Sequence, residues 1–541
     1  MSLQTVVPAC GSTIMPRKPS PTPLRRLRAS KPKVKTGCIT CKIRRVKCDE
    51  SKPHCRRCLS TGRTCDGYSP PRDHSHSIPL PSALTTLPGT PSERHSFHFF
   101  HTHTSPQLRG LFASPFWSQH VLQASLREEA IWHAAVALGA LHGGFSMSGM
   151  GGGVGGAGEE FAVRQYIKAI SCITRPGAER RIDVALIACL LFACFESLRG
   201  HHAPALLHLD GGVNLLLELQ SQSETHPGLT APTYPATPYT PLPALQALLT
   251  RLDTQATQLI PARRTRLCPV SAPPQNYVFT SLEDAQRASD ELWNYCLYTL
   301  RPSPSASTCP SPQHQSPNQH QHQPQYLSLA HDDLGRRQKS YTTALSTFLA
   351  AHPGTTPREQ KAGDTLRLHA LIATISLIPA FLSASEEVWD QHTNEFASIV
   401  FLARSIMEAD DKNRDEDKTC ETVGGPGAVS LNTGVLGPLY LVALRCRDPV
   451  VRREAVELLG GEVRREGLWD STLLAGVAER VVGIEEDRGG ECGGGEGGGR
   501  GRERVADVDV VFDPEGCRAG VRFLMEGGGA AVGGFKPLDV V

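Results

Sequence analysis

Six of the seventeen cysteines of this 541-residue chain fall between Cys38 and Cys65. Their spacing is C-x2-C-x6-C-x6-C-x2-C-x6-C, a half-unit written twice: Cys38, Cys41 and Cys48, then Cys55, Cys58 and Cys65. Two chemistries explain such density. A disulfide framework needs an oxidising compartment. Thiolate-bound metal does not. In C-x2-C both sulfurs can turn to one side and chelate one ion, and zinc takes four ligands in a tetrahedron. One zinc would leave two of the six cysteines over. Two zincs need about eight bonds from six sulfurs, so two thiolates must bridge. The natural bridging pair is the first cysteine of each half, Cys38 and Cys55. Such a core is net anionic, so cations around it help to keep the thiolates ionised. A unit this short cannot bury a useful apolar core, so metal must supply its folding free energy.

The charge is unevenly placed. Net charge over the whole chain is only +2, yet from Arg17 to Cys65 there are 16 Lys or Arg against two acids, Asp49 and Glu50. That local excess points to a polyanion partner. The first ten residues, ending at Cys10, lack a charged start followed by an apolar core and do not read as a secretory signal. The longest apolar run, Val184 to Phe195, is too short to span a bilayer. No membrane partner is expected. The expected compartment is one where thiols stay reduced, and Cys172, Cys189 and Cys194 read as core residues.

The segment from about residue 35 to 68 resembles the fungal binuclear zinc cluster, the Zn2Cys6 DNA-binding domain of fungal transcription factors. The resemblance rests on the six cysteines, on the basic run Lys42, Arg44, Arg45 and Lys47, on Asp49, and on Pro53 in the loop before Cys55. It implies two zinc ions in one cluster, held by Cys38, Cys41, Cys48, Cys55, Cys58 and Cys65. It also implies that the residues at the positions of Arg44 and Arg45 contact a CGG triplet of double-stranded DNA. The space between Cys41 and Cys48 allows a little over one helical turn, from whose end both arginines are expected to project. The guanidinium fork matches guanine O6 and N7 in the major groove. Lys42 and Lys47 flank them and are expected to hold phosphate. The second half carries Leu59-Ser-Thr-Gly-Arg63 at the equivalent place and is less basic.

The remainder reads as a large all-α regulatory region with a disordered tail, linker and inserts. The expected divisions are a basic tail over 1–35, the cluster over 36–68 and a Pro-rich linker over 69–95. An all-α region follows over 96–300, broken by a low-complexity insert at 301–337 and resumed over 338–485. A Gly-rich linker and C-terminal segment occupy 486–541. Arg25-Arg26-Leu27-Arg28 and Lys31-Pro32-Lys33-Val34-Lys35 read as a nuclear import signal or an arm on phosphate. Relatives often carry a dimerising coiled coil after the cluster, but Pro70, Pro71, Pro79, Pro81 and Pro88 would break one here. A monomer, or a dimer through the helical region, is expected.

Among the helices, Ser125 and Glu128 are spaced as a capping box, with Gly143-Gly144 ending the helix they open. Val184 to Phe195 is apolar nearly all round and reads as a buried helix. Thr280 or Ser281 caps a helix ending before Pro302, and residues 408–418 read as a charged loop. The segments EEAIWHAAVALGALHGG and ALIACLLFACFESLRG resemble the helical regulatory region of filamentous-fungal factors.

Other motifs carry less. Gly151 to Gly156 matches G-x-G-x-x-G, but it follows a helix and not a strand, so the dinucleotide reading fails its context. His98, His101 and His103 sit beside phenylalanines with no further ligand at metal spacing, so packing is expected of them. No catalytic motif is present, so an enzyme is not expected. The expectation is a nuclear, zinc-dependent, sequence-specific regulator of RNA polymerase II genes, reading CGG-type half-sites with the transcription machinery or co-regulators as partners. The alternative is a zinc-cluster co-regulator or scaffold acting through protein contacts.

Overall fold

A computed structural model describes residues 38–67, 87–148, 157–175, 181–225, 234–267, 271–300, 323–377, 386–416, 428–490, 504–512, 518–525 and 532–539. The import-signal reading, the missing coiled coil and the glycine motif at 151–156 lie outside these residues. The chain divides into two units, Met1–Thr86 and Leu87–Val541, each described by itself.

The small unit holds two short helices, α1 (Ile39–Ile43) and α2 (Arg56–Leu59). Its buried residues are cysteines, with Val46 and Cys48 partly buried beside them. Among the described residues of this unit no aliphatic core stands behind them.

The large unit is mostly helical. It opens with α3 (Pro91–Phe99), five residues before Ser96. The N-terminus of α3 is a complete capping box. The Thr90 hydroxyl accepts from the Glu93 N–H, and the Glu93 carboxylate accepts from the Thr90 N–H at 2.8 Å. The following α4 (Glu129–Ser148) crosses α3 closely at Gly139, where a Cβ would lie 2.1 Å from the Ser96 carbonyl oxygen. The box expected at Ser125 does not form. Ser125 Oγ donates instead to the Val121 carbonyl at 2.7 Å, inside the preceding helical stretch, and Glu128 accepts from the Tyr239 hydroxyl at 2.9 Å. Tertiary contact outcompetes the local pattern there, and α4 also runs on past Gly143-Gly144.

Next come α5 (Ala157–Thr174), α6 (Ile182–Leu198) and α7 (His202–Thr225). Every residue of α6 except Ala185 and Cys189 is buried, so the expected all-round apolar helix is the centre of the main core. Its two acids are not left alone in that core. Asp183 pairs with Arg181 at 2.9 Å, and Glu196 meets Arg199 at 3.4 Å. Cys194 is buried in this core, whereas Cys172 and Cys189 are half-buried.

Two helices follow, α8 (Leu242–Leu259) and α9 (Leu282–Leu300). The latter is capped by Ser281, whose hydroxyl accepts from the Asp284 N–H at 3.1 Å. With α10 (Gln323–Ala351) and α11 (Pro357–Ser376), α9 builds a second apolar cluster around Tyr341, Leu345 and Leu366. The expected loop at 408–418 is largely helix, because α12 extends over Thr393–Glu416.

Helices α13 (Leu436–Arg445), α14 (Pro449–Gly461) and α15 (Ser471–Gly490) follow. Two small sheets join them. The short strands β1 (Ala428–Ser430), β2 (Arg464–Glu466) and β3 (Trp469–Asp470) lie in that order, parallel then antiparallel. The C-terminal β4 (Val505–Phe512), β5 (Arg518–Met525) and β6 (Val532–Asp539) form an antiparallel meander. Val508 and Val510 of β4 and Ala519, Val521, Phe523 and Met525 of β5 are buried, which is the alternation of a half-buried strand. Among the described residues no helix is long and apolar enough to cross a membrane.

Candidate metal centre and nucleic-acid interface

The seventeen-residue repeat in sequence becomes a repeat in hydrogen bonding. Cys38 caps α1 and Cys55 caps α2, each sulfur accepting from an amide three residues on, Cys41 at 3.4 Å and Cys58 at 3.3 Å. The Cys38 N–H donates to Cys48 Sγ at 3.4 Å, and the Cys55 N–H to Cys65 Sγ at 3.4 Å. An anionic sulfur is the better acceptor in all four bonds. The halves also cap each other. The Asp49 carboxylate accepts from the Arg56 and Arg57 amides at 3.0 Å each, and Asp66 accepts from the Thr40 hydroxyl at 2.8 Å. The bond from the Ser51 hydroxyl and those from the Arg57 and Arg56 amides hold the Asp49 carboxyl well below its usual range. The Lys52–Pro53 peptide is cis.

The sulfurs of Cys38, Cys41, Cys48 and Cys55 lie within 4.8 Å of one another, and so do those of Cys38, Cys55, Cys58 and Cys65. Cys38 and Cys55 belong to both groups, 3.6 Å apart. Burial pushes the Cys38 thiol up to about 12 and raises that of Cys55, so a cation is needed to ionise them at neutral pH. All-sulfur tetrahedra of this size suit zinc.

The basic residues are arranged less evenly than the cysteines. Lys42 and Lys47 are exposed. Arg44 is half-buried, and its Nη1 donates to Thr61 Oγ1 of the other half at 3.3 Å. Arg45 is exposed and has a left-handed backbone, φ +55°. The two arginines thus leave the end of α1 differently. The position equivalent to Arg45 is Gly62 at φ +66°, and that equivalent to Glu50 (φ +63°) is Gly67 at φ +73°. Each half therefore turns left-handed at the same two places, once with glycines and once without them. Sequence reasoning placed Thr61 and Gly62 in the second half's equivalent stretch but gave them no role, and it overlooked Asp66 and Gly67. Sliding the sequence by seventeen residues against itself would have aligned all of them.

His98 and His101 are exposed, and His103 stacks on Phe99 with ring centroids 4.5 Å apart. Among the described residues only the cysteine groups bring metal-binding atoms together.

Residues 36–75 match the family model described as the fungal Zn(2)-Cys(6) binuclear cluster domain. That domain binds two zinc ions. The chain is similar to the aspercryptin biosynthesis cluster-specific transcription regulator of Emericella nidulans, 26% identical over 570 aligned positions covering 85% of this chain and 89% of that protein. It is also similar to a transcription regulator of Purpureocillium lilacinum, 28% identical over 34% of this chain and 49% of that protein. A third relative is a Zn(2)-C6 fungal-type transcription factor of Aspergillus fumigatus, 35% identical over 20% of this chain and 32% of that protein. No solved structure matches the chain.

Proposed function

We propose that this DNA-binding transcription regulator of the fungal zinc-cluster class reads CGG-type half-sites in the major groove, at genes transcribed by RNA polymerase II in the nucleus. In this reading all six cysteines ligate zinc, and Cys38 and Cys55 bridge the two ions. Their membership of both sulfur groups supports that assignment.

One observation carries the DNA reading, an asymmetry laid on a symmetric scaffold. Lys42, Arg44, Arg45 and Lys47 face Leu59, Thr61, Gly62 and Thr64 at the equivalent positions, so one half has four cations where the other has none. Metal ligation rigidifies both halves alike, and only the first presents cationic side chains from those places. Arg45 supplies a fork for guanine. Arg44 joins it on leaving Thr61. Lys42 and Lys47 neutralise phosphates and set the register.

Binding of the zinc-loaded chain to duplexes with and without a CGG triplet tests this. Arg45→Ala is expected to cost about 1–3 kcal/mol of discrimination for the triplet. Lys47→Ala is expected to weaken all sequences alike and lower the salt slope by about one. Equal, sequence-independent losses from both variants would overturn direct readout. A co-regulator working through protein contacts would show no preference for the triplet at all.

The proline-interrupted linker favours a monomer, or a dimer made through the helical region with little dependence on half-site spacing. A series of duplexes that varies the gap between two triplets distinguishes this from a rigid symmetric dimer. Because the Emericella relative is named for a biosynthesis cluster, genes of a biosynthetic cluster are the first targets to examine.

A further inference from the structure

The helical unit contains a partly open cavity of about 190 Å³. Helices α8, α9, α11 and α13 form its walls, together with β3, β4 and Trp389. Three of the chain's five tryptophans line it, Trp293, Trp389 and Trp469, with Tyr440. Such a wall suits a flat ring. A cavity of roughly 150 Å³ accepts benzene, so this one has room for a substituted ring or a compact pair of rings.

Two polar groups in the wall are underused. Trp469 is only 3% exposed, and its indole Nε1–H has no hydrogen-bond partner. A buried donor left unpaired is unfavourable, and a ligand acceptor would satisfy it. His369 donates through Nε2 to the Gly434 carbonyl at 2.9 Å. Burial lowers its pKa, and the neutral ring keeps Nδ1 as an acceptor. The charged groups of the wall are already engaged. Arg251 pairs with Asp290 at 2.6 Å, Arg445 donates to the Ala506 carbonyl at 2.7 Å, and Asp507 accepts from the Val508 N–H at 2.9 Å. Two arginines face two aspartates, so the wall has no excess charge to offer an ion.

We propose that this cavity is a binding site for a small, neutral aromatic molecule that carries a carbonyl or comparable acceptor. The acceptor takes the Trp469 Nε1–H, a ligand N–H or O–H donates to His369 Nδ1, and the ring lies among the aromatic side chains. The site is separate from the DNA-reading role and stands or falls independently of it. Strand β4 contributes Asp507 and Val508 to the wall, so occupancy also ties the C-terminal sheet to the helices.

Benzamide is the probe, with benzoate and benzylamine as charged counterparts of the same size, titrated into the zinc-loaded full-length protein. Saturable quenching of tryptophan fluorescence by benzamide is expected at millimolar concentrations, with calorimetry giving one site per chain. Hydrogen exchange over residues 505–510 should slow on saturation. Binding of benzoate and benzylamine should be at least about tenfold weaker, since each would bring an uncompensated charge to a wall whose own charged groups are already engaged. Trp469→Phe keeps an aromatic ring, though a smaller one, and removes the N–H, and should weaken benzamide at least about fivefold. Gly437→Ala provides a second variant whose folding is secure, because its added Cβ would sit 3.6 Å from the Trp469 ring, an ordinary contact. It narrows the cavity and should also weaken binding. No saturable binding of benzamide up to its solubility, charged probes binding as well as the neutral one, or undiminished binding by folded Trp469→Phe would each overturn the proposal.

Discussion

The two units of this chain solve the same problem with opposite means. In the cluster the buried residues are cysteines, and the side chains around them are largely exposed and charged. In the helical unit Phe195, Leu190, Leu191, Ile187 and their neighbours fill a continuous apolar core. Entropy lost on ordering a chain must be offset by something. The small unit uses metal–sulfur bonds, and the large one uses area removed from water. The difference teaches where each unit is vulnerable. A soluble chelator attacks the bonds that hold the first, whereas the second, whose described residues bring together no group of three or more metal-binding side chains, is attacked through its packing.

The largest expected effect separates them outright. A strong zinc chelator added to the full-length protein should collapse the NMR signals of residues 38–67 and abolish DNA binding. The thermal transition of the helical unit should not move. Native mass spectrometry before chelation should show two zinc ions, and a single tightly held metal would break the account of the bridged cluster.

The converse test acts on packing. Leu191 is fully buried at the centre of α6. Leu191→Ala should destabilise the helical unit by about 2–5 kcal/mol. Zinc content and the affinity of the cluster for a single half-site should be unchanged. Loss of zinc in this variant would mean that the two units depend on each other for folding.

The smallest effect sharpens the electrostatic side of the comparison. Burial alone would raise the pKa of Glu93, but the Thr90 N–H, the Gln165 amide at 2.8 Å and the Lys168 ammonium at 3.3 Å outweigh it and hold the group at about 2. A carboxyl depressed in the folded state stabilises above its unfolded pKa of about 4.3, and that stabilisation is lost as pH falls towards the folded value. Glu93→Gln should destabilise the helical unit at pH 7 by an amount on the scale of a lost cap, about 1 kcal/mol, seen as a lower melting point. The gap to wild type should close as pH falls from about 4.3 to about 2. A gap that stays constant with pH would show that packing, and not charge, makes the contribution.

The cysteine spacing and the apolar run of α6 were legible because each signal is dense and local. The capping pattern at Ser125 misled because Tyr239, more than a hundred residues away, takes the Glu128 carboxylate. The C-terminal meander went unread within the expected linker and C-terminal segment, although one strand of it carries a signal. Ala519, Val521, Phe523 and Met525 alternate with Gly520, Arg522 and Leu524, a period of two. In β4 an irregularity in register between Val505 and Asp507 interrupts that period and hides it. Strands β1, β2 and β3 span two or three residues each, too few for any periodic signal. Within the cluster, both arginines looked alike in sequence. The left-handed turn at Arg45 and the tether of Arg44 to Thr61 arise only once the halves fold against each other. The aromatic cavity assembles from residues 251 to 508 and has no linear signature.

The left-handed backbone at position 45 sets two selective pressures against each other. Glycine would relax the turn there by roughly 1 kcal/mol or more, as it already does at Gly62, but it would remove the side chain proposed to read a base. Any lineage that stopped using the first half to read DNA would be free to drift towards glycine at 45. The reverse move is open at Gly62, where an added Cβ would meet nothing within 4 Å. An arginine there would bear only the strain that Arg45 already bears. In the proposed reading, the second half is thus a copy of the reading head that lacks its side chain, one substitution away from an arginine in the equivalent place.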